Sequence, residues 1–409
     1  MRTLDAVDTL ELTVGDVVAG GAAIARDGGR VVFVDGALPG ERVRVELTQL
    51  RRDHARARVR EVLEASPERV EPPCPRVAEG CGGCDWQHVA PAAQPVRKAA
   101  VVADALRRLG GLAAPQVTPG PALPAEGYRT TVRAAVVGGR AGFRRAASHE
   151  VVEVGRCLVA HPLVAELLEE GHFGEADEVT IRVGVTTGER LAVVDPSAAG
   201  VRLPDDVVVV GRDELRRGRR AWIHEHVAGR RWRISAGSFF QVRPDGAEAL
   251  VGAVLDAAAP LPVGPATVVD AYTGVGLLAG ALASPRSTPR AEALRVVAVE
   301  RGRSAVDDAR HNLADLHARV VRAPLERARL PAAELVVADP ARAGLGAAAV
   351  RVLARTGAPR LVLVSCDPAA LGRDTALLGD EGYTHAGTTL VDLFPGTHHL
   401  EAVSVFERI

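Results

Sequence analysis

Aromatic residues are scarce in this chain of 409 residues, where 7 Phe, 3 Tyr and 3 Trp make up 3%. Any surface that stacks rings on a ligand must be built from few of them, and Trp86, Phe239 and Phe240 are the candidates. Net charge is nearly absent too, at −1 from 50 basic and 51 acidic side chains. That excludes coating of a polyanion by bulk charge and leaves the task to local stripes. No apolar run approaches the roughly 20 residues a membrane-crossing helix needs. Met1 to Gly20 scatters Asp5, Asp8, Glu11 and Asp16 among short apolar runs, unlike a secretory or organelle-targeting leader. A cytoplasmic protein without a membrane partner, and a monomer, is expected. Cysteine is limited to Cys74, Cys81, Cys84, Cys157 and Cys366. Stable disulfides do not belong in a reducing compartment, so four thiolates for a metal or cluster, with one left over, is the natural division.

What is present, 47% hydrophobic and 25% charged residues, supports two or three domains with real cores. From about Thr9 to Val62, alternating runs (VVFVDG, RVRVEL, ARARVREVL) separated by Gly and Pro turns predict a small all-β barrel. The segment EPPCP then breaks the pattern, which places a boundary near Ser66. A helix is expected over Gln94 to Leu109 and a β-rich region from Tyr128 to Phe240. From Ala266 onward strand, glycine loop and helix alternate, the pattern of a parallel sheet with crossover helices. The fold class is therefore α/β with an all-β N-terminal domain, in three parts spanning 1–66, 67–262 and 263–409.

Four apolar runs in the last part end in a polar residue: ATVVD at Asp270, VVAVE at Glu300, LVVAD at Asp339 and LVLVSC at Cys366. Open α/β sheets bind ligands beyond the carboxyl ends of their strands, so these side chains should gather at one site. Helix capping would explain any one of these acids, but it explains the set poorly. The turn DAYTGVG lets backbone approach a cofactor, and Glu300 is placed to accept ribose hydroxyls, although Gly274, Gly276 and Ala279 would also fit a dinucleotide fingerprint. Cys366 precedes a helix start that can favour its thiolate, or it is a buried structural cysteine. A thiolate suits pyrimidine chemistry, because carbon 5 of uracil becomes nucleophilic only after addition at carbon 6. The run Asp339-Pro340-Ala341-Arg342 lacks the second proline and aromatic ring of enzymes that methylate exocyclic amines, which favours a carbon target. Glu401, in the alternating segment HHLEAVSVFER, could remove the carbon 5 proton, or be a solvated edge residue.

Cys74, Cys81 and Cys84, separated by six and two residues and joined by the distant Cys157, suit a four-thiolate zinc site or an iron–sulfur cluster, and spacing leaves both open. His54, Arg56, Arg58 and Arg60 alternate onto one strand face fit to track a phosphate backbone. Arg129, Arg133, Arg144 and Arg145 form a second cationic group.

Taken together, GDVVAGGAAIARDGGRVVFVDGALPGERV, CPRVAEGCGGCDWQH, GYRTTVR, SFFQV, DAYTGVG, VVAVE, ADPARAGL, VSCDPAALGRD and DLFPGTHHLE resemble the TRAM-domain RNA uridine C5-methyltransferases over almost the whole chain. The resemblance implies an OB-like TRAM barrel that binds RNA, a β-rich central iron–sulfur domain and a C-terminal Rossmann-like class I methyltransferase. It implies a [4Fe-4S] cluster on Cys74, Cys81, Cys84 and Cys157, with Cys366 as nucleophile and Glu401 as general base. S-adenosylmethionine would lie on Gln241, Tyr272, Glu300 and Asp339, and the partner would be RNA, 23S rRNA before tRNA. Arg243, Leu277 and Asp367 depart from the family pattern, and Asp367 would oppose thiolate formation if it pointed at Cys366. The first gap of the cluster motif is one residue longer than usual. Two other readings are a radical methylthiotransferase, whose cysteine spacing differs, and a non-catalytic RNA-binding protein.

Overall fold

A computed structural model describes residues 9–260, 265–284 and 293–409. Asp5, Asp8 and the expected boundary between 262 and 263 lie outside the described residues. No helix among those described is long and apolar enough to cross a membrane.

The first unit contains β1 (Thr9–Thr13), β2 (Ala23–Asp27), β3 (Arg30–Asp35), β4 (Arg42–Leu50) and β5 (His54–Glu64), in one sheet of order β1-β4-β5-β3-β2. Alternation decides its faces. Ala55 and Ala57 of β5 point into a core with Val32, Val34, Val43 and Val45, while Arg56, Arg58 and Arg60 between them stay exposed.

Next come α1 (Gln94–Arg108), β6 (Val117–Pro119), β7 (Thr131–Val137), β8 (Arg140–Arg144), β9 (Val151–Glu153), α2 (Pro162–Glu170), β10 (His172–Phe173), β11 (Glu178–Val183), β12 (Arg190–Asp195), β13 (Val201–Arg202), β14 (Val207–Gly211), α3 (Arg212–Arg216), β15 (Trp222–Val227), β16 (Arg230–Ser235) and α4 (Pro244–Ala258). Six of these strands form a sheet of order β14-β12-β11-β7-β8-β9, against which α2 buries Val164, Leu167 and Leu168. β15 and β16 form a separate antiparallel hairpin.

The last unit adds β17 (Ala266–Ala271), α5 (Leu277–Ala283), β18 (Leu294–Glu300), α6 (Arg303–Asn312), β19 (Ala318–Arg322), β20 (Leu335–Ala338), α7 (Gly346–Ala354), β21 (Arg360–Ser365), α8 (Pro368–Asp380), β22 (Tyr383–Val391) and β23 (Glu401–Arg408). They make an eight-stranded sheet of order β19-β18-β17-β20-β21-β23-β22-β6. β17 to β21 run parallel, and β23 is antiparallel to both β21 and β22. Both faces are covered, so these strands read as unbroken apolar runs. Val268, Leu335, Val337 and Val362 pack with α4, α5 and Trp232, and the intervening Val269, Val336 and Leu361 pack with α1, α7 and α8. α1, β6 and α4 thus lie within 67–262 but pack on the C-terminal sheet, because their apolar faces complete its two layers. Leu191, Val193 and Val210 of the central sheet join the same core, so no solvent layer separates the two units.

Candidate active site

Because β17, β18, β20 and β21 are parallel, Asp270, Glu300, Asp339 and Cys366 finish on one edge of the sheet. β23 starts from that edge. Its register pairs Ser365 with Ala402, so one step further Cys366 stands across from Glu401. Glu401 is only 8% exposed, whereas Cys366 and Asp339 are half-buried. Burial pushes the Cys366 thiol up to about 11, with Glu401 and Asp339 adding and Arg342 opposing. Burial, then the charge of Asp339, holds Glu401 well above the usual carboxylate range, again against Arg342. Asp339 itself is raised to about 7 by burial and by Asp270. A thiol, two carboxyls and a guanidinium therefore share one electrostatic neighbourhood, the arrangement expected where proton transfer is managed.

The glycine turn is braced from below. Asp270 Oδ2 accepts from Thr273 Oγ1 at 2.5 Å and from the Ala279 amide at 2.9 Å, while its Oδ1 is buried without a partner among the described residues. Burial raises this carboxyl to about 7. Gly276 caps α5 with φ +99°, and at Gly274 a side chain would meet open space. Tyr272 has φ +65°, a strained conformation for a bulky residue and one that concentrates at functional sites. Glu300 accepts from the amides of Gly274 at 3.1 Å and Gly302 at 2.6 Å, and each carboxylate oxygen keeps a further lone pair. Gln241 is buried on the segment between β16 and α4, which Ser238 ties to Asp308 at 2.6 Å.

The three departures from the family pattern have places in this frame. Leu277 opens α5 and packs in the core. Arg243 is fully buried, pairs with Asp245 through two bonds of 2.6 and 2.7 Å, and lies 4.5 Å from the Tyr128 ring centre. Asp367 is not among the charges that shift the Cys366 thiol. It is the N-cap of α8, its Oδ1 accepting from the Ala370 amide at 2.7 Å.

Sequence reasoning missed what holds the loop leading to Glu401. Lys98 reaches Asp392 at 2.6 Å and the Phe394 carbonyl at 3.1 Å. Tyr128 donates to the Pro395 carbonyl at 3.0 Å, the Gln94 side chain accepts from the Gly396 amide at 2.7 Å, and Asp85 accepts from the His398 amide at 3.0 Å. A buried lysine of mid-helix was the available signal, since it requires a partner. The β1–β2 loop closes over the same place: Val18 to Gly21, Lys98, Arg342, Cys366 and His399 surround one cleft. Gly21 has to be glycine, because a Cβ there would lie 2.6 Å from the His398 Cβ.

Several expectations for RNA contact change. Trp86 is 3% exposed, with its indole N–H on the Gly21 carbonyl at 3.2 Å, and Phe240 is also core; among the three ring candidates only Phe239 is exposed, at 68%. Arg129 is directed inward, donating to the Gly83 carbonyl at 3.4 Å, so it does not join Arg133, Arg144 and Arg145 on a surface. Arg58 and Arg60 both pair with Glu46, and the Arg56 guanidinium carbon lies 5.8 Å from the Phe33 ring centre.

Cys74, Cys81, Cys84 and Cys157 line one pocket, together with Arg129 and Phe143. All are free thiols. Burial raises Cys84 to about 11 and pushes Cys81 and Cys157 up, and the other thiols add to each shift. Among the described residues no three metal-binding side chains close on a single ion.

The sheet order, the glycine turn after its first strand and the acids ending its next strands define a Rossmann-like methyltransferase. Comparison with known proteins narrows this. Residues 6–59 match the TRAM domain model. A chain of Streptomyces avermitilis described as an uncharacterized RNA methyltransferase is 40% identical, covering 97% of this protein and 98% of its own length. One of Halalkalibacterium halodurans, described in the same way, is 31% identical over 98% and 97%. The protein belongs to this family of RNA methyltransferases. In fold it resembles the Pyrococcus abyssi tRNA (uracil-54, C5)-methyltransferase solved with S-adenosyl-L-homocysteine, with TM-score 0.73 and 22% identity over 97% of this chain and 99% of that one.

Proposed function

We propose that the protein transfers a methyl group from S-adenosylmethionine to carbon 5 of a uridine in structured RNA, with 23S ribosomal RNA the substrate to test first and transfer RNA alongside. The observation that carries this reading is the placement of Cys366 opposite Glu401 on neighbouring strands, with Asp339 beside them. S-adenosylmethionine supplies an electrophilic methyl group when bound. Gln241, Tyr272, Glu300 and Asp339 would hold it, with the ribose on the free lone pairs of Glu300 and the open space at Gly274 against it. The Cys366 thiol would give up its proton to solvent in the cleft and its sulfur add to carbon 6 of a uracil flipped in, which makes carbon 5 an enolate carbon that takes the methyl group as the donor's methyl–sulfur bond breaks and S-adenosylhomocysteine leaves. Glu401 then removes the carbon 5 proton, and the carbon 6–sulfur bond breaks to restore the ring. In this reading residues 1–66 bind RNA, 67–262 carry the cysteine site and 263–409 hold the methyl donor. The test is a map of 5-methyluridine in ribosomal and transfer RNA from cells with and without the protein. One uridine should lose its methyl group entirely, and an identical map would overturn the proposal.

The cysteine cavity suits a [4Fe-4S] cluster on Cys74, Cys81, Cys84 and Cys157: four thiols line one space without a carboxylate among them, the Gln87 oxygen is taken up by the Cys74 amide, and Arg129 stands beside them to balance thiolate charge. Its role would be to tie Cys157 to the segment whose next residues, Asp85 and Trp86, hold the loop before Glu401. Protein purified without oxygen should be brown, with iron and sulfide in roughly equal amounts. Cys81→Ser should lower the yield of folded protein more than it lowers methyl transfer per folded molecule. Colourless, active protein with stoichiometric zinc would refute the assignment.

A further inference from the structure

A second groove lies apart from the cleft at Cys366, between the segment linking α3 to β15, the strand β16 and the start of α6, and no motif of the sequence analysis touches it. Arg216, Arg219, Arg220, Arg233 and Arg303 line it around Trp222. In a chain of net charge −1 this is a marked local excess of cations. Arg219 pairs with Glu214, Arg233 with the buried Asp308, and Arg220 reaches Asp307 only at 4.0 Å. Arg216 and Arg303 have no acid partner among the described residues and are exposed. Trp222 is 41% exposed, with the Arg233 guanidinium carbon 5.5 Å from its ring centre.

We propose that this groove is a second RNA-binding surface, in which arginines hold the phosphate backbone and an unpaired base stacks on Trp222. A ring among guanidinium groups matches a nucleotide in both its parts: π-face to base, fork to phosphate. The floor is rigid. Asp308 accepts from Arg233 at 2.7 Å, from the Ser235 amide at 2.9 Å and from Ser238 at 2.6 Å, and Ser238 meets Ser304 at 2.9 Å. From Ser238 the chain continues through the exposed Phe239 to Gln241.

This inference rests on RNA being the substrate, and its test is independent of turnover. The three tryptophans differ usefully: Trp86 and Trp232 are buried, so Trp222 reports on solvent. In the catalytically inert full-length Cys366→Ala protein, single-stranded RNA should quench Trp222 emission. Adding Trp222→Ala should weaken RNA binding by roughly tenfold. Arg216→Glu with Arg303→Glu should also weaken it and lower the slope of log affinity against log salt by about two. S-adenosylmethionine affinity and Tm, measured on each variant, should not change. Unquenched fluorescence with unchanged RNA affinity would overturn the proposal, as would equal quenching by polyglutamate, which carries charge but no bases. If RNA quenches Trp222 while wild-type protein forms no 5-methyluridine, the groove stands and the proposed reaction falls.

Discussion

Glu401→Gln, mixed with S-adenosylmethionine and its RNA, is expected to stall as a methylated protein–RNA species that survives denaturing electrophoresis. The expectation follows from the order of steps. In the proposed mechanism Cys366 would act before methyl transfer and Glu401 only after it, so loss of the base would leave the carbon 5 proton in place and the sulfur–carbon 6 bond unable to break. Gln keeps the shape of a side chain that is only 8% exposed, so the local fold should persist. Turnover should fall by roughly 10²–10⁴, the range general-base catalysis supplies. Adding Cys366→Ala should abolish the trapped species. An adduct that persists in the double variant would place the nucleophile elsewhere, and normal turnover by Glu401→Gln would give the proton to another group or to water.

The same pair shows what could be read from the chain. Strand ends are local information: an apolar run closed by Asp, Glu or Cys states both its length and its final side chain, and the parallel sheet then brings Asp270, Glu300, Asp339 and Cys366 together. Which residues support them is not local. Lys98 and Asp392 are 294 positions apart, and Asp85 and His398 are 313 apart, so no periodicity announces either contact. The same limit affected the aromatic rings. CDWQH looks like an exposed reader of bases, yet Trp86 is spent on docking the β1–β2 loop, while Trp222, in an arginine run that drew no notice, is the exposed indole. Domain limits follow suit: α1, β6 and α4 change in texture from the C-terminal part but serve its layers, since packing partners are chosen by apolar faces and not by chain order.

Asp339→Asn should damage function while it stabilises the protein, and the size of the second effect depends on pH. Burial and the neighbouring Asp270 raise this carboxyl to about 7 from an ordinary value near 4. A carboxyl raised on folding favours the native state fully only below its unfolded value, and that contribution is lost as pH climbs through about 7. Wild-type protein should therefore lose stability between roughly pH 4 and pH 8, because the fold must hold a charge it has desolvated. Asn removes that charge. The Tm difference should be small near pH 5 and widen in favour of the variant to roughly 2 °C or more at pH 8. Asp339 also raises Glu401 and Cys366, so its loss relieves two further groups in the same direction. S-adenosylmethionine should raise the Tm of the wild type by mass action and leave the variant unmoved, with methyl transfer falling by roughly 10² or more. The carboxylate would then be a group the native state holds at a cost because the methyl donor needs it. A variant that is less stable at every pH, or one that still gains Tm from S-adenosylmethionine, would show that Asp339 supports the sheet edge and does not hold the donor.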